Sequence, residues 1–111
     1  MDEILDNTRA VVGYVEGLDL ASLTADRKTI DAVERCLERI SEASRRLGED
    51  VKSSMPNQPW RQIEDLGNVL RHEYHKIRLS EIWEIAIRDL PSLMADVQLA
   101  RGRLSDASDT A

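Results

Sequence analysis

The stretch from Asp26 to Gly48, DRKTIDAVERCLERISEASRRLG, decides the fold class. Ile30, Val33, Cys36, Leu37, Ile40, Ala43 and Leu47 recur at steps of three and four, which gathers them on one face of an α-helix while charged residues fill the other. Asp26 stands where a helix wants an N-cap, and Gly48 stands where a left-handed C-capping residue is expected. This is the longest regular pattern in the chain, and no segment competes with it by alternating at the strand period of two.

Working outward, the same spacing returns on both sides. Ile4, Leu5, Thr8, Val11, Val12 and Val15 form an earlier stripe closed by Gly17. A short connection follows, with Leu18, Leu20 and Leu23 expected to pack on the core. Residues 48–58 carry Ser53, Ser54, Pro56 and Asn57 and read as a loop with one helical turn. Pro59 suits the first position of a third long helix, along which Trp60, Ile63, Leu66, Gly67, Leu70 and Tyr74 repeat. Ser80 is the expected cap of a fourth helix through Ile82, Trp83, Ala86, Ile87 and Leu90. Pro91 should kink or restart that helix, because it lacks a backbone donor. Leu93, Met94, Val97, Ala100 and Leu104 then continue the stripe. The reading is all-α: an antiparallel, up-and-down bundle of four long helices with short extra turns, spanning residues 1–104, followed by a flexible tail at 105–111.

Composition narrows the function classes. The chain has 111 residues, enough for one domain, and a net charge of −6 from 15 Lys and Arg against 21 Asp and Glu. A single cysteine, Cys36, excludes an internal disulfide framework and any multi-thiolate metal site within one chain. The first twenty residues carry too many charges for a secretory leader, and no uncharged apolar run approaches the roughly 20 residues of a membrane helix. These features point to a soluble protein of a reducing, cytoplasmic compartment. A bundle of this size buries a modest core, so an apolar strip left exposed would favour a homodimer.

The charge is unevenly spread. Residues 61–78 hold Arg61, Arg71, Lys76 and Arg78 against Glu64, Asp65 and Glu73, so this stretch is net positive in an acidic chain, and both histidines, His72 and His75, fall inside it. On a helix, Asn68 and His72 are four residues apart and share a face, with His75 close to the same line. Two histidines at this spacing are too few to specify a metal site. Trp60 and Trp83 lie on apolar stripes and read as packing residues. Cys36 reads as inert core, and Arg45, Arg46, Arg101 and Arg103 as solvated surface.

The segment from Pro59 to Leu93, PWRQIEDLGNVLRHEYHKIRLSEIWEIAIRDLPSL, resembles the HepT-like ribonucleases of the HEPN superfamily. That family opens its third long helix with a proline–tryptophan pair, follows with R-N-x-x-x-H-x-Y, and ends an aliphatic–Trp segment in Asp-Leu-Pro. The matching residues are Pro59-Trp60, then Asn68, His72 and Tyr74, then Ile82-Trp83, and Asp89-Leu90-Pro91. Val12 through Arg46 match the family's first two long helices more loosely. One position departs: the family's arginine, five residues before the histidine, is Gly67 here. Arg71 is the nearest replacement cation, although it projects about 100° from His72 around an ideal helix.

The resemblance implies a toxin that cleaves RNA, tRNA being the expected substrate, without metal or other cofactor. His72 would take the proton from a ribose 2′-hydroxyl, while Asn68 and Arg71 would stabilise charge on the phosphorus; His75 and Arg78 are further candidate RNA contacts. It also implies a homodimer, so that a second imidazole completes the acid–base pair. The implied partner is a nucleotidyltransferase antitoxin that transfers AMP to Tyr74. The alternative is a HEPN interaction module that binds such a partner and no longer cuts RNA.

Overall fold

The computed structural model describes residues 1–72 and 78–110, with side chains described as far as Leu104. Helix α1 (Asp2–Val15) buries Ile4, Leu5, Thr8, Val11 and Val15 on one face, as its spacing predicts. Thr8 is tolerated there because its hydroxyl donates to the Leu5 carbonyl at 2.9 Å. Gly17 follows with φ of +78°, the left-handed conformation for which glycine is suited. Helix α2 (Leu20–Thr24) starts at Asp19, whose carboxylate accepts the Ser22 amide at 2.7 Å. It presents Leu23 to the core, fully buried, whereas Leu20 points outward and is 37% exposed, contrary to its expected role as an anchor.

Helix α3 (Arg27–Arg45) is the centre of the molecule. Asp26 caps it as expected, accepting the Thr29 amide at 3.1 Å and the Thr29 hydroxyl at 2.7 Å. Val33, Cys36, Leu37, Ile40 and Ala43 are buried, and so are Ser41 and Ser44 between them. Gly48 does not take the left-handed conformation expected of it. Arg46 closes α3, and Gly48, at φ −67° and ψ 152°, leads instead into helix α4 (Glu49–Ser53). The polar-looking loop after α4 is pinned at three points. Met55 is buried, the Trp60 indole donates to the Met55 carbonyl at 3.1 Å, and the Gln58 amide donates to Asp96 at 2.7 Å.

Helix α5 (Trp60–His72) begins one residue later than its proline suggests; the Pro59 carbonyl accepts the Ile63 amide at 3.0 Å, so Pro59 stands just outside the helix. Helix α6 (Leu79–Glu84) starts after Arg78, which places Ser80 inside the helix rather than at its cap. A π-helical turn (Ile85–Asp89) joins α6 to helix α7 (Leu90–Thr110). The widened turn sits immediately before Pro91, whose ring would otherwise clash with the carbonyl four residues earlier and which cannot supply it with a donor. Proline thus widens the helix locally without ending it. Backbone helix continues to Thr110, past the domain boundary expected at Leu104, and Leu104 itself is 49% exposed.

The most extensive interface joins α1 to α3, followed by α3 with α5 and α1 with α7. Arg46, at the end of α3, pairs with Glu3 at 2.6 Å, and Arg101 of α7 pairs with Asp2 at 3.0 Å. The start of α1 therefore meets the far parts of both helices, and both run opposite to it. Buried side chains from α1, α3, α5 and α7 form one apolar core. Every described residue in an ordered element is helical, and no described helix is long and apolar enough to cross a membrane.

Candidate active site on the fifth helix

Of the thirteen residues of helix α5 only Gly67 and Leu70 are fully buried, with Trp60, Ile63 and Leu66 partly buried against the core. Its outer face carries Asn68, Arg71 and His72, all exposed. Asn68 and His72 lie one turn apart on that face, as their spacing predicts. Arg71, offset from His72 around the helix, reaches Asn68 with its long side chain. The guanidinium folds back along the helix, and its Nη2 donates to Asn68 Oδ1 at 3.3 Å.

Gly67 explains why it can lie there. A Cβ on this residue would come within 2.8 Å of Ser41 Oγ and 3.1 Å of Ser41 Cβ, so α3 and α5 approach too closely here for any side chain to fit without displacement. The same absent Cβ would lie 3.5 Å from Arg71 Nη1. The guanidinium of residue 71 thus reaches back over the spot from which a side chain at position 67 would begin.

The contact with α3 is polar. The Ser41 hydroxyl donates to the Glu64 carbonyl at 2.8 Å and accepts the Gly67 amide at 3.1 Å. Arg45 adds two donors to the same Glu64 carbonyl, at 3.0 and 2.8 Å. Lys52, buried on α4, pairs with the Glu64 carboxylate and lies 3.9 Å from Glu49. None of these residues is marked by sequence spacing as functional. Arg45, Arg46 and Arg101 read as solvated surface yet each makes a cross-helix contact. Ser41 carries the one available signal, a hydroxyl on an otherwise apolar stripe.

Arg78 is exposed ahead of α6 and makes no hydrogen bond or ion pair with Asn68, Arg71 or His72. Tyr74 and His75 lie outside the described residues. Among the described residues no group of three or more His, Cys, Asp or Glu side chains could hold a metal ion. Cys36 is 4% exposed, and burial pushes its thiol above the ordinary range, with Arg39 opposing slightly, so it stays protonated and unreactive near neutral pH. A groove of about 410 Å³ opens between α3, α5 and the π-helical turn, lined by apolar side chains such as Leu37, Ile63 and Leu66. Its polar positions include Asp65, Glu81 and Asp89, a charge that repels phosphate, and among the described residues Asn68, Arg71, His72 and Arg78 do not line it.

A family model described as "Ribonuclease HepT-like" matches residues 4–99. "Putative RNase MJ1380" of Methanocaldococcus jannaschii is 31% identical over 97 residues, covering 87% of this chain and 89% of the relative. "Probable ribonuclease HepT" of Thermococcus cleftensis is 28% identical over 101 residues, covering 91% and 92% of the two chains. A protein of Caldanaerobacter subterraneus named "Putative RNase TTE0752" is 26% identical, with 88% of each chain covered. No solved structure matches the chain significantly. With the family model spanning most of its length, and a relative of like size above 30% identity, the chain belongs to the ribonuclease HepT-like family.

Proposed function

We propose that this protein is a metal-independent endoribonuclease, the toxin of a toxin–antitoxin pair, and that Asn68, Arg71 and His72 form its catalytic set. The observation that carries this reading is the Arg71 guanidinium folded back over Gly67 onto Asn68. It supports a cation relocated from position 67 to position 71, which leaves the amide, the guanidinium and the imidazole together on one exposed helix face. RNA chemistry of this kind needs those three group types. The neutral His72 imidazole accepts the proton of a ribose 2′-hydroxyl; the 2′-oxygen bonds to the adjacent phosphorus as the phosphorus–5′-oxygen bond breaks. The products are a 2′,3′-cyclic phosphate and a 5′-hydroxyl, the latter taking its proton from a second imidazole, His72 of a second copy in a homodimer. Arg71 and the Asn68 amide stabilise the added negative charge on the phosphoryl oxygens.

The family membership supports RNA as substrate, and tRNA is the substrate we infer. We read the four long helical segments as the up-and-down HEPN bundle, supported by the opposed directions of α1 and its neighbours. The inferred partner is a nucleotidyltransferase antitoxin that adenylylates Tyr74. An added phosphate charge two residues beyond His72 would repel the RNA backbone. The whole system belongs in the cytoplasm.

The second reading, an interaction module without nuclease activity, draws on Gly67 standing in the arginine position and on the acidic net charge. Cleavage of purified tRNA in EDTA separates the two. The native protein is expected to cleave, with His72→Ala and Arg71→Ala each slower by about a hundredfold or more and neither changed in thermal stability. Absence of cleavage by native protein of confirmed unmodified mass would remove the ribonuclease reading and leave the module.

A further inference from the structure

We propose that Ser41 and Arg45 of α3 are positioning residues that fix how α5 presents Asn68, Arg71 and His72; the catalytic consequence rests on the ribonuclease reading, but the geometry does not. Helix α5 fully buries only Gly67 and Leu70, while Trp60, Ile63 and Leu66 pack partly buried against the core, so apolar contact leaves part of its rotation and its slide along α3 to other groups. Apolar contact is non-directional and does not by itself specify one orientation. Directional bonds remove that freedom, and α3 supplies them at one place.

The Glu64 carbonyl is the focus. In a regular α-helix this oxygen accepts the Asn68 amide, four residues on. Here it also takes the Ser41 hydroxyl and two Arg45 donors. The Ser41 hydroxyl, through its second bond to the Gly67 amide, is inserted into the hydrogen-bond ladder of α5. The two rungs it touches belong to the turn that carries Asn68 and leads to Arg71 and His72. Lys52 holds the Glu64 side chain from α4, so the residue is gripped at both its backbone and its carboxylate. Because Gly67 offers no Cβ to keep Ser41 away, the glycine that removes the family's arginine also admits the clamp.

The test uses Arg45, which is exposed and can be changed without opening the core. In the full-length protein, Arg45→Met is expected to shift the NMR resonances of the Asn68 side-chain amide and the His72 ring. It should lower kcat for tRNA cleavage about tenfold, with KM within about twofold of native, since small misplacements of catalytic groups act on the chemical step. Arg45→Lys, which keeps one donor within reach of the carbonyl, should recover most of both signals. Ser41→Ala should move the same resonances in the same direction. Unchanged Asn68 and His72 resonances in Arg45→Met would overturn the clamp, and so would a raised KM with native kcat, which would make Arg45 a direct RNA contact. If the native protein does not cleave, the ribonuclease reading fails separately, and the resonances alone still decide whether α3 positions this face.

Discussion

Helices α3 and α5 pack against each other, carry comparable apolar stripes in sequence, and are held in place by different physics. Helix α3 has apolar neighbours on several sides; Val33, Leu37 and Ile40 are each at most 2% exposed, and an aspartate fixes its start. Helix α5 has two buried residues, one of them a glycine, and depends on hydrogen bonds from Ser41 and Arg45 and on the Lys52 ion pair. The difference suits their roles. Both helices keep an exposed face, but that of α5 carries Asn68, Arg71 and His72, and the seating beneath it is polar as well as apolar. The cost is that orientation then rests on a few bonds at specific atoms.

Truncating the apolar side of each helix should expose this difference most strongly. Leu37→Ala removes a side chain that is 1% exposed and should destabilise the fold by about 2–5 kcal/mol, a large fraction of what a domain of this size possesses. Leu66→Ala, at a half-buried position of α5, should cost less than about 1.5 kcal/mol. Denaturant unfolding of both variants gives the two numbers directly; equal losses would mean that α5 is seated by its apolar face after all.

The next effect in size lies at the contact between the two helices. Gly67→Ala places a Cβ within 2.8 Å of Ser41 Oγ and should cost about 1–3 kcal/mol through a forced shift or a lost pair of hydrogen bonds. Pairing it with Ser41→Gly should recover a measurable part of that loss, because the two sites share one space. Additive losses in the double variant would show that the glycine serves something other than this approach. The same geometry bears on restoring the family's arginine. Gly67→Arg brings the same collision and competes with Arg71 for its resting place, so it should lower both stability and cleavage unless Ser41 is changed with it.

Sequence reading found the apolar side of this comparison and missed the polar side, for a physical reason. Periodicity reports which residues share a face; hence the stripes of α1 and α3, the caps at Asp26 and Gly17, the buried Cys36 and the disturbance at Pro91 were all legible. It does not report what stands opposite. Arg45 is indistinguishable from a solvated arginine until Glu64 is placed beside it, and Lys52 reads as loop polarity until its carboxylate partner is known. Gly48 and Ser80 carried the right residue types for caps, but Arg46 closes α3 and Arg78 precedes α6, while Gly48 opens α4 instead. The spacing of Asn68 and His72 was readable from one helical turn. The approach of Arg71 was not, since it depends on a side chain folding back into room left by a glycine.

The smallest expected effect concerns the aspartate at the start of α3, where the carboxylate itself accepts the capping bonds, whereas Ser41 and Arg45 bond to a backbone carbonyl of α5. The Thr29 hydroxyl, then the Thr29 amide, bond to the Asp26 carboxylate and hold it below the usual aspartate range, with Lys28 adding a minor contribution. A carboxyl whose folded value is depressed binds its proton less readily when folded, so its stabilisation is fully present above the ordinary aspartate value of about 3.9 and is lost as the pH falls through the lower folded value. Asp19, bonded to the Ser22 amide, behaves in the same direction. Asp26→Asn keeps an oxygen acceptor at the cap but removes the charge, and with it the titration. Thermal melts from pH 7 to pH 2 should show the variant losing less stability than native protein across the acid limb, with near-neutral melting temperatures close together. The Arg45 and Ser41 bonds end on the backbone carbonyl of Glu64, so the amide-exchange protection of the α5 turn at Gly67 and Asn68 should respond less to acid than that of Thr29 and Ile30. Equal acid sensitivity at both places would mean that the α5 clamp draws its strength from the Glu64 carboxylate and Lys52 rather than from the bonds to its backbone.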